Sequence, residues 1–597
     1  MCCFYSSHNT FNSLIMATPS LCSSQSTEQE ALFTRLSSKA ADFVMSDSKG
    51  SREHLPMIAI NAKKIILPNE ILLEGHVTVN QGTGKIVEVE RGYIVDEINC
   101  MNCKRRKATY APAGCENCKD IYCKRCAMKM ATGGKCKNCG SLFASMQRTS
   151  EEDSGAAKGG KNTKIIYETD YIIPGFVDIH NHGLGGTDDI LDYWTNPGFS
   201  LRKLYDFGTT SVFPTITFPD PPKLDRSLKA CKVLSSLYQK HNEYGARVEG
   251  IHCEGPIIQT QGGLPDSSAQ KKWPLAKFND MLDEIGPCLR IMTVSPSADD
   301  KYEKQQRVLS KDDEDDVYSL ACACNSNEET SKHVSWTTCK KKNDKDEDVP
   351  QRGQHIFEHI QSLIDRNIVV SLGHDKDCSE DQIFSVLNMP FASETTRFHS
   401  THVFNVQRFH HRNIGLANLA YLKKIPPFTI EKYRMSDNAK LPTIELIGDM
   451  KHVNPIVIQS VLDTHDNGKN GNVCFITDAI AEACPTKALT YADDRKAYVD
   501  ELGETVVDEN GTMCGSCITL YTTFLTLVHK FELNLVDASR LVSGNPAKIA
   551  RIYDKTGSIS CGKLGDLICL NNSLEITHVL VNGRNLDYSG SMPMQKK

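Results

Sequence analysis

No run of about 18 consecutive apolar residues occurs in the 597-residue chain, so a membrane-spanning helix is not expected. Positive charge is not in excess either. The 68 Lys and Arg residues are outnumbered by 74 Asp and Glu, for a formal net charge of −6. That balance argues against a broad nucleic-acid-binding field. The first 27 residues hold neither Lys nor Arg. A secretory signal needs a positive first region and a mitochondrial transit peptide needs arginines, so neither is expected and a cytoplasmic, reducing compartment is. Residues 1–56 also lack clear hydrophobic patterning and are rich in Ser and Thr, a composition expected to be disordered.

Cysteine, by contrast, is plentiful at 24 and unevenly placed. Eight fall in the segment 98–145 as four C-x2-C pairs: Cys100/Cys103, Cys115/Cys118, Cys123/Cys126 and Cys136/Cys139. Paired thiols in a large, non-secreted chain point to metal rather than disulfides, and eight can build two tetrahedral sulfur sites. The segment has little apolar core, so two structural zinc ions would supply its folding energy. Free thiols or an iron–sulfur cluster are the alternatives. The spacing resembles the cross-braced RING and FYVE zinc folds, with Cys118 where a RING often has His and without the basic signature of lipid-binding FYVE modules. The resemblance raises a protein partner for this insertion. Cys322, Cys324 and Cys339 lack regular spacing and carry no such reading.

Residues 57–97 and 553–592 share a texture of short alternating strands and tight turns, and predict a small β-sandwich built from both terminal regions. Between residues 165 and 552 the texture changes. Short apolar strands recur in "YIIPGFVDIH", "TTSVFPTI", "ARVEGIHCE", "LRIMTVS", "NIVVSLGH", "HSTHVFN", "TIELIGDM" and "NVCFITDA", with amphipathic stretches such as "HIFEHIQSLIDR" between several of them. Eight such strands with intervening helices predict an α/β fold, a (β/α)8 barrel. Residues 298–353, dense in Lys, Asp and Glu, read as a disordered charged insertion within it.

Active sites of such barrels gather at the C-terminal ends of the strands. The first strand ends in His180 and His182, which strand alternation turns to one face. The third ends in Glu254, the fifth in His374, the sixth in His402 and the eighth in Asp478. Any one alone reads as a hydrogen-bonded polar residue. Six potential ligands on five strand ends read as a metal site, in which Glu254 can bridge two divalent ions and Asp478 can touch metal and move a proton.

The ordered ligand set, together with "PGFVDIHNHG", "GIHCEGP", "VSLGH", "THVFN" followed by "HHRNIG", "ITDA" and "GTMCGS", resembles the N-acetylglucosamine-6-phosphate deacetylase family of the amidohydrolase superfamily. The resemblance covers residues 57 to 590 apart from the two insertions. It implies a barrel with a flanking β-sandwich, a homodimer, and hydrolysis of a phosphorylated amino-sugar amide to the free amine and acetate. It implies one or two zinc or iron ions on Glu254, His374 and His402, with His180 and His182 on a pair that only some members keep. Asp478 matches the catalytic acid/base. His452 matches a histidine that binds the sugar and polarises the carbonyl, Asn405 a substrate contact, and Arg412 the phosphate contact. The chain departs from the family where "EGPIIQTQGGLPDSS" lacks the usual loop histidine, where strand four ends "VSPSAD", where "GHDKDC" lacks small residues, and in a shorter loop before Arg412. These changes leave room for a different N-acyl sugar or a cyclic amide. A reading from another class is an adaptor or ubiquitin-ligase-like protein, with the cysteine module carried on a degenerate barrel.

Overall fold

A computed structural model describes residues 57–94, 110–112, 146–148, 165–187, 189–218, 224–240, 242–264, 273–298, 354–391, 396–484, 488–490 and 495–586. The eight paired cysteines, the N-terminal 56 residues and nearly all of the charged insertion fall outside these residues. The chain divides into two compact units, Phe176–Ile552 and the regions on either side of it in sequence.

The first unit begins with three strands, β1 (Met57–Ile66), β2 (Ile71–Asn80) and β3 (Lys85–Arg91), joined as an antiparallel meander. Two short strands, β4 (Tyr110–Pro112) and β5 (Met146–Arg148), pair antiparallel and bracket six of the eight cysteines in sequence. β6 (Ile165–Pro174) then lies parallel to β1, from Ile58↔Ile165 to Ile65↔Ile172. The stretch "YIIPGFVDIH", read from sequence as one barrel strand, is therefore two elements. The chain breaks at Gly175, after Pro174, and residues 165–174 belong to the sheet unit.

The second unit carries eight parallel strands in consecutive order: β7 (Phe176–Asn181), β8 (Thr209–Thr217), β10 (Ile251–Glu254), β11 (Leu289–Val294), β12 (Val369–Leu372), β13 (His399–Ser400), β14 (Thr443–Ile447) and β15 (Val473–Ile476). A two-residue strand, β9 (Arg247–Val248), also pairs with β8. An Asn181↔Ala479 parallel bridge, with Asp478 N–H to His180 O at 2.9 Å and His182 N–H to Ala479 O at 2.9 Å, links the last strand to the first. The strands are buried on both faces, which is why they read as near-continuous apolar runs. Every connection carries a helix: α1 (Gly198–Asp206), α2 (Leu224–Leu237), α3 (Leu275–Ile285), α4 (Gln354–Asp365), α5 (Glu380–Leu387), α6 (Pro427–Tyr433), α7 (Pro455–Thr464) and, after the eighth strand, α8 (Leu520–His529). α5 opens on a capping box, with the Ser379 hydroxyl and the Gln382 side chain each serving the other's backbone N–H. Between strands and helices lies one continuous apolar layer, including Val212, Cys253, Met292, Val370, Phe384 and Phe398.

The sequence reading did not anticipate a four-stranded antiparallel sheet, β16 (Ala488–Thr490), β17 (Lys496–Val499), β18 (Thr505–Asp508) and β19 (Met513–Ser516), placed between the eighth strand and α8. An Ala479↔Ser516 bridge ties it to the barrel rim. The chain returns to the first unit with β20 (Leu567–Leu570) and β21 (Ile576–Leu580), giving the order β21-β20-β6-β1-β2-β3. The two terminal regions thus join in one six-stranded sheet among the described residues. The physical reason is β6, which pairs with β1 on one edge and β20 on the other and so joins both chain ends edge to edge.

Candidate metal centre

Each of the six side chains named from the strand ends sits at one rim of the barrel. Glu254 lies at their centre. Its Oε1 is 2.8 Å from His374 Nε2, 2.9 Å from His402 Nε2 and 3.5 Å from His180 Nε2, and its Oε2 is 3.1 Å from His182 Nε2. Asp478 Oδ1 stands 3.4 Å from the Nε2 atoms of both His180 and His182. All six are buried. Their donor atoms make three overlapping groups within 4.8 Å: Glu254/His374/His402, His180/His182/Glu254 and His180/His402/Asp478.

The tautomers explain why these nitrogens converge. A carbonyl or carboxylate oxygen only accepts, so a ring nitrogen beside one must carry the proton. His374 Nδ1 donates to Thr260 O at 3.0 Å, and His180 Nδ1 donates to Glu445 Oε1 at 2.7 Å. Both Nε2 lone pairs are thereby turned inward, where they meet carboxylate oxygens and, in the His374–His402 pair, a second imidazole nitrogen at 3.1 Å. His180 Nε2 and Glu254 Oε2 have no hydrogen-bond partner. Lone pair facing lone pair in a buried site is unfavourable unless a cation stands between them, and leaving such ions buried and unpaired costs several kcal/mol each. The donor set of imidazole and carboxylate suits a divalent transition metal.

The charges point the same way. Burial opposes protonation of His180, yet the carboxylates of Glu445, Glu254 and Asp478 raise its pKa well above the ordinary histidine value. Burial alone would push the Glu254 carboxyl up, but the surrounding histidines, led by His180 and His374, hold it well below the usual range. Asp478 is lowered against its own burial by His180, His182 and His402. The pocket demands positive charge among its carboxylates. His252 behaves differently: burial and the adjacent His180 push it down to about 3. It stays neutral, with both nitrogens engaged by Ile179 O and Thr293 Oγ1, as a structural floor 4.5 Å beneath the His180 ring.

Local backbone is bent to bring these groups in. His374, His402 and Asp478 have φ of 49°, 24° and 49°, in the left-handed region that costs non-glycine residues about 1–3 kcal/mol each. Three such residues at one rim place the strain at the site itself.

The cavity above the cluster is walled by His182, Glu254, His374, His402, Asp478 and Asn405, with apolar walls from Leu191, Leu264 and Ile480. His452 is oriented by Asp449, whose Oδ2 accepts from Nδ1 at 2.5 Å, leaving a buried Nε2 without a partner. Neither His452 nor Arg412 is among the residues lining that cavity. The backbone N–H groups of Arg412 and Asn413 both donate to His410 Nδ1, closing a turn that leaves Arg412 exposed.

Sequence reasoning missed a supporting layer. Glu445 on β14 is fully buried and accepts from His180 Nδ1, from His399 Nε2 at 2.9 Å and from the His402 N–H at 2.8 Å, fixing two of the cluster's histidines at once. Asp178 on β7 binds Thr477 Oγ1 at 2.7 Å and Asn181 Nδ2 at 3.1 Å, joining the first and last strands. The available signal was a carboxylate inside an otherwise apolar strand, "TIELI" and "FVDIH", where burial demands a partner.

Comparison with known proteins agrees with this geometry. Residues 388–586 match the amidohydrolase family. The N-acetylglucosamine-6-phosphate deacetylase of Bacillus subtilis (strain 168) is 23% identical over 420 residues, spanning 69% of this chain and 83% of the relative. The Homo sapiens protein of the same name is 22% identical over 423 residues, spanning 69% and 82%. Among solved structures, N-acetylglucosamine-6-phosphate deacetylase from Pasteurella multocida superposes with a TM-score of 0.55 at 17% identity, covering 88% of this chain and 98% of the other. The Mycobacterium smegmatis enzyme, solved in complex with N-acetyl-D-glucosamine-6-phosphate, gives 0.55 at 16%, covering 89% and 99%. At these identities the structural likeness establishes the shared fold.

Proposed function

We propose that this chain is a metal-dependent deacetylase that hydrolyses N-acetylglucosamine 6-phosphate to glucosamine 6-phosphate and acetate. The observation that carries the reading is the convergence of His180, His182, Glu254, His374, His402 and Asp478 on one buried point, in a chain whose curated relatives are named for that reaction.

A divalent ion, zinc or iron, supplies at such a site a bound water of lowered pKa and a Lewis acid for the amide carbonyl. Glu254, His374 and His402 would hold it, and His180 with His182 offers room for a second. Asp478 has one oxygen 3.4 Å from both histidines of the pair, so it is positioned to accept the water's proton and deliver it to the departing amine nitrogen. His452, held by Asp449 and with its pKa raised by that carboxylate against its burial, would in its protonated form donate from Nε2 to the carbonyl oxygen as charge develops there. Asn405 in the cavity wall offers its amide to a sugar hydroxyl. Arg412, exposed at the surface, is assigned to the phosphate.

Beyond the barrel, the proposal includes two structural zinc ions on Cys100, Cys103, Cys115, Cys118, Cys123, Cys126, Cys136 and Cys139 in a RING/FYVE-like module that can take a protein partner. Its support is the C-x2-C spacing and the β4–β5 ladder around three of the four pairs. A homodimer is part of the same reading. Among the described residues no helix is long and apolar enough to cross a membrane.

The test is acetate release from N-acetylglucosamine 6-phosphate by the full chain, with and without Asp478→Asn. Loss of the acid/base group lowers turnover about 10²–10⁴-fold. Equal turnover in the two proteins rules the mechanism out. No acetate release from this substrate by the metal-loaded wild type, with release from another N-acyl sugar or a cyclic amide, moves the assignment to that substrate.

A further inference from the structure

A second histidine–carboxylate cluster lies in the six-stranded sheet, in the unit that does not contain the barrel. His76 on β2 stands opposite Glu90 on β3, and Glu88 pairs with Thr78, two residues further along the same face. His76 is 6% exposed, whereas Glu88 is half-buried and Glu90 exposed. His76 Nδ1 lies 2.7 Å from Gly92 O, which can only accept, so this nitrogen carries the proton. The neutral ring then directs a lone pair from Nε2 toward Glu88 Oε2, 3.3 Å away. Nε2 is buried and has no hydrogen-bond partner. Asn61, next in the row across β1, is turned to the backbone of Ile94: its Nδ2 donates to Ile94 O at 2.6 Å and its Oδ1 accepts from the Ile94 N–H at 2.9 Å.

We propose that His76 Nε2, Glu88 and Glu90 form a zinc site on the sheet unit, built from none of the barrel-rim side chains and none of the paired cysteines. Zinc takes imidazole and carboxylate ligands at about 2.0–2.2 Å, and two tetrahedral ligands at that length stand about 3.4 Å apart. The observed 3.3 Å between His76 Nε2 and Glu88 Oε2 matches that span. The three donor atoms lie within 4.8 Å of one another, and the exposed Glu90 is the side chain free to close the remaining gap. The carbonyl of Gly92 plays the orienting part that a metal-bound histidine ordinarily receives from a backbone oxygen. The exposed side leaves the fourth position to water. The competing arrangement is a doubly protonated His76 paired with Glu88, which needs no metal.

Zinc content per chain, measured by elemental analysis after equilibration with micromolar free zinc, separates the two. Wild type is compared with His76→Gln and with the Glu88→Gln/Glu90→Gln double variant. The proposal expects each variant to hold one zinc fewer per chain, with acetate release unchanged. Equal zinc content in all three proteins overturns it. Because His76 is buried, its variant risks misfolding. The carboxylate double variant lies on partly exposed positions and is decisive alone. Anomalous scattering at the zinc edge from zinc-soaked crystals tests the same site independently: a peak between the three side chains supports it, and none overturns it.

Discussion

The barrel rim and the six-stranded sheet each bring histidine against carboxylate, by opposite routes. At the rim, six side chains spread from His180 to Asp478 arrive from five strands, all of them buried, and three stand on left-handed backbone. In the sheet, His76, Glu88 and Glu90 come from two adjacent strands of one hairpin, and two of the three face water. The rim requires backbone strain and a layer of buried supporting groups. The sheet cluster needs only β alternation and one backbone carbonyl. Deep burial excludes water and magnifies every charge, as catalysis requires. A half-exposed cluster lacks that advantage and suits a structural ion.

The contrast can be broken most severely at the rim. His374→Ala removes a donor within 2.8 Å of Glu254 Oε1. It should abolish barrel metal and acetate release together, as should chelation of the wild type. Retained activity in metal-free protein would dissolve the distinction between the clusters.

A smaller effect is expected from Glu445→Gln, which leaves all six rim side chains in place but weakens the acceptor for His180 Nδ1. Substitutions in such orienting partners cost about 10–100-fold in metal affinity or activity. Metal titration should show that loss, and an unchanged affinity would mean that burial alone orients His180.

Asp449→Asn tests the His452 pair through pH. Burial lowers the His452 pKa, but Asp449 outweighs it and the group is raised above 6.5. A raised histidine contributes stability that is fully present below the unfolded value and lost as pH rises through the folded one. The wild type should therefore exceed the variant in thermal stability most clearly on the acid side, with the gap closing above neutrality. A gap that widens with pH contradicts this pairing.

The smallest expected effect is that of His76→Gln on turnover, namely none. A fall in acetate release in a properly folded His76→Gln protein would mean that the two clusters are coupled.

Strand ends were legible because buried parallel strands are apolar runs, so a His, Glu or Asp that closes one stands out. His180, His182, Glu254, His374, His402 and Asp478 were all visible in this way, one strand at a time. Glu445 was legible only in part: a carboxylate inside an apolar strand signals a buried partner, but nothing local names the two imidazoles it serves. Arg412 was placed by motif likeness, and the turn closed by His410 Nδ1 leaves it exposed. The separation of residues 165–174 from the barrel was also hidden, because an apolar strand in an open sheet and one in a barrel have the same composition. Only the pairing of β6 with β1 and β20 distinguishes them.

By itself the sequence determined the alternation of strands and helices, the chemistry at each strand end and the sulfur-rich spacing of the insertion. These are properties of periodicity and residue type, which act locally. Tertiary structure alone decided which lone pairs face one another, which histidine nitrogen carries the proton, and which carboxylates are buried deeply enough to demand a cation. Those depend on contacts between residues far apart in the chain, such as His180 with Glu445 and Asp478, and no local pattern encodes a distance across a closed barrel.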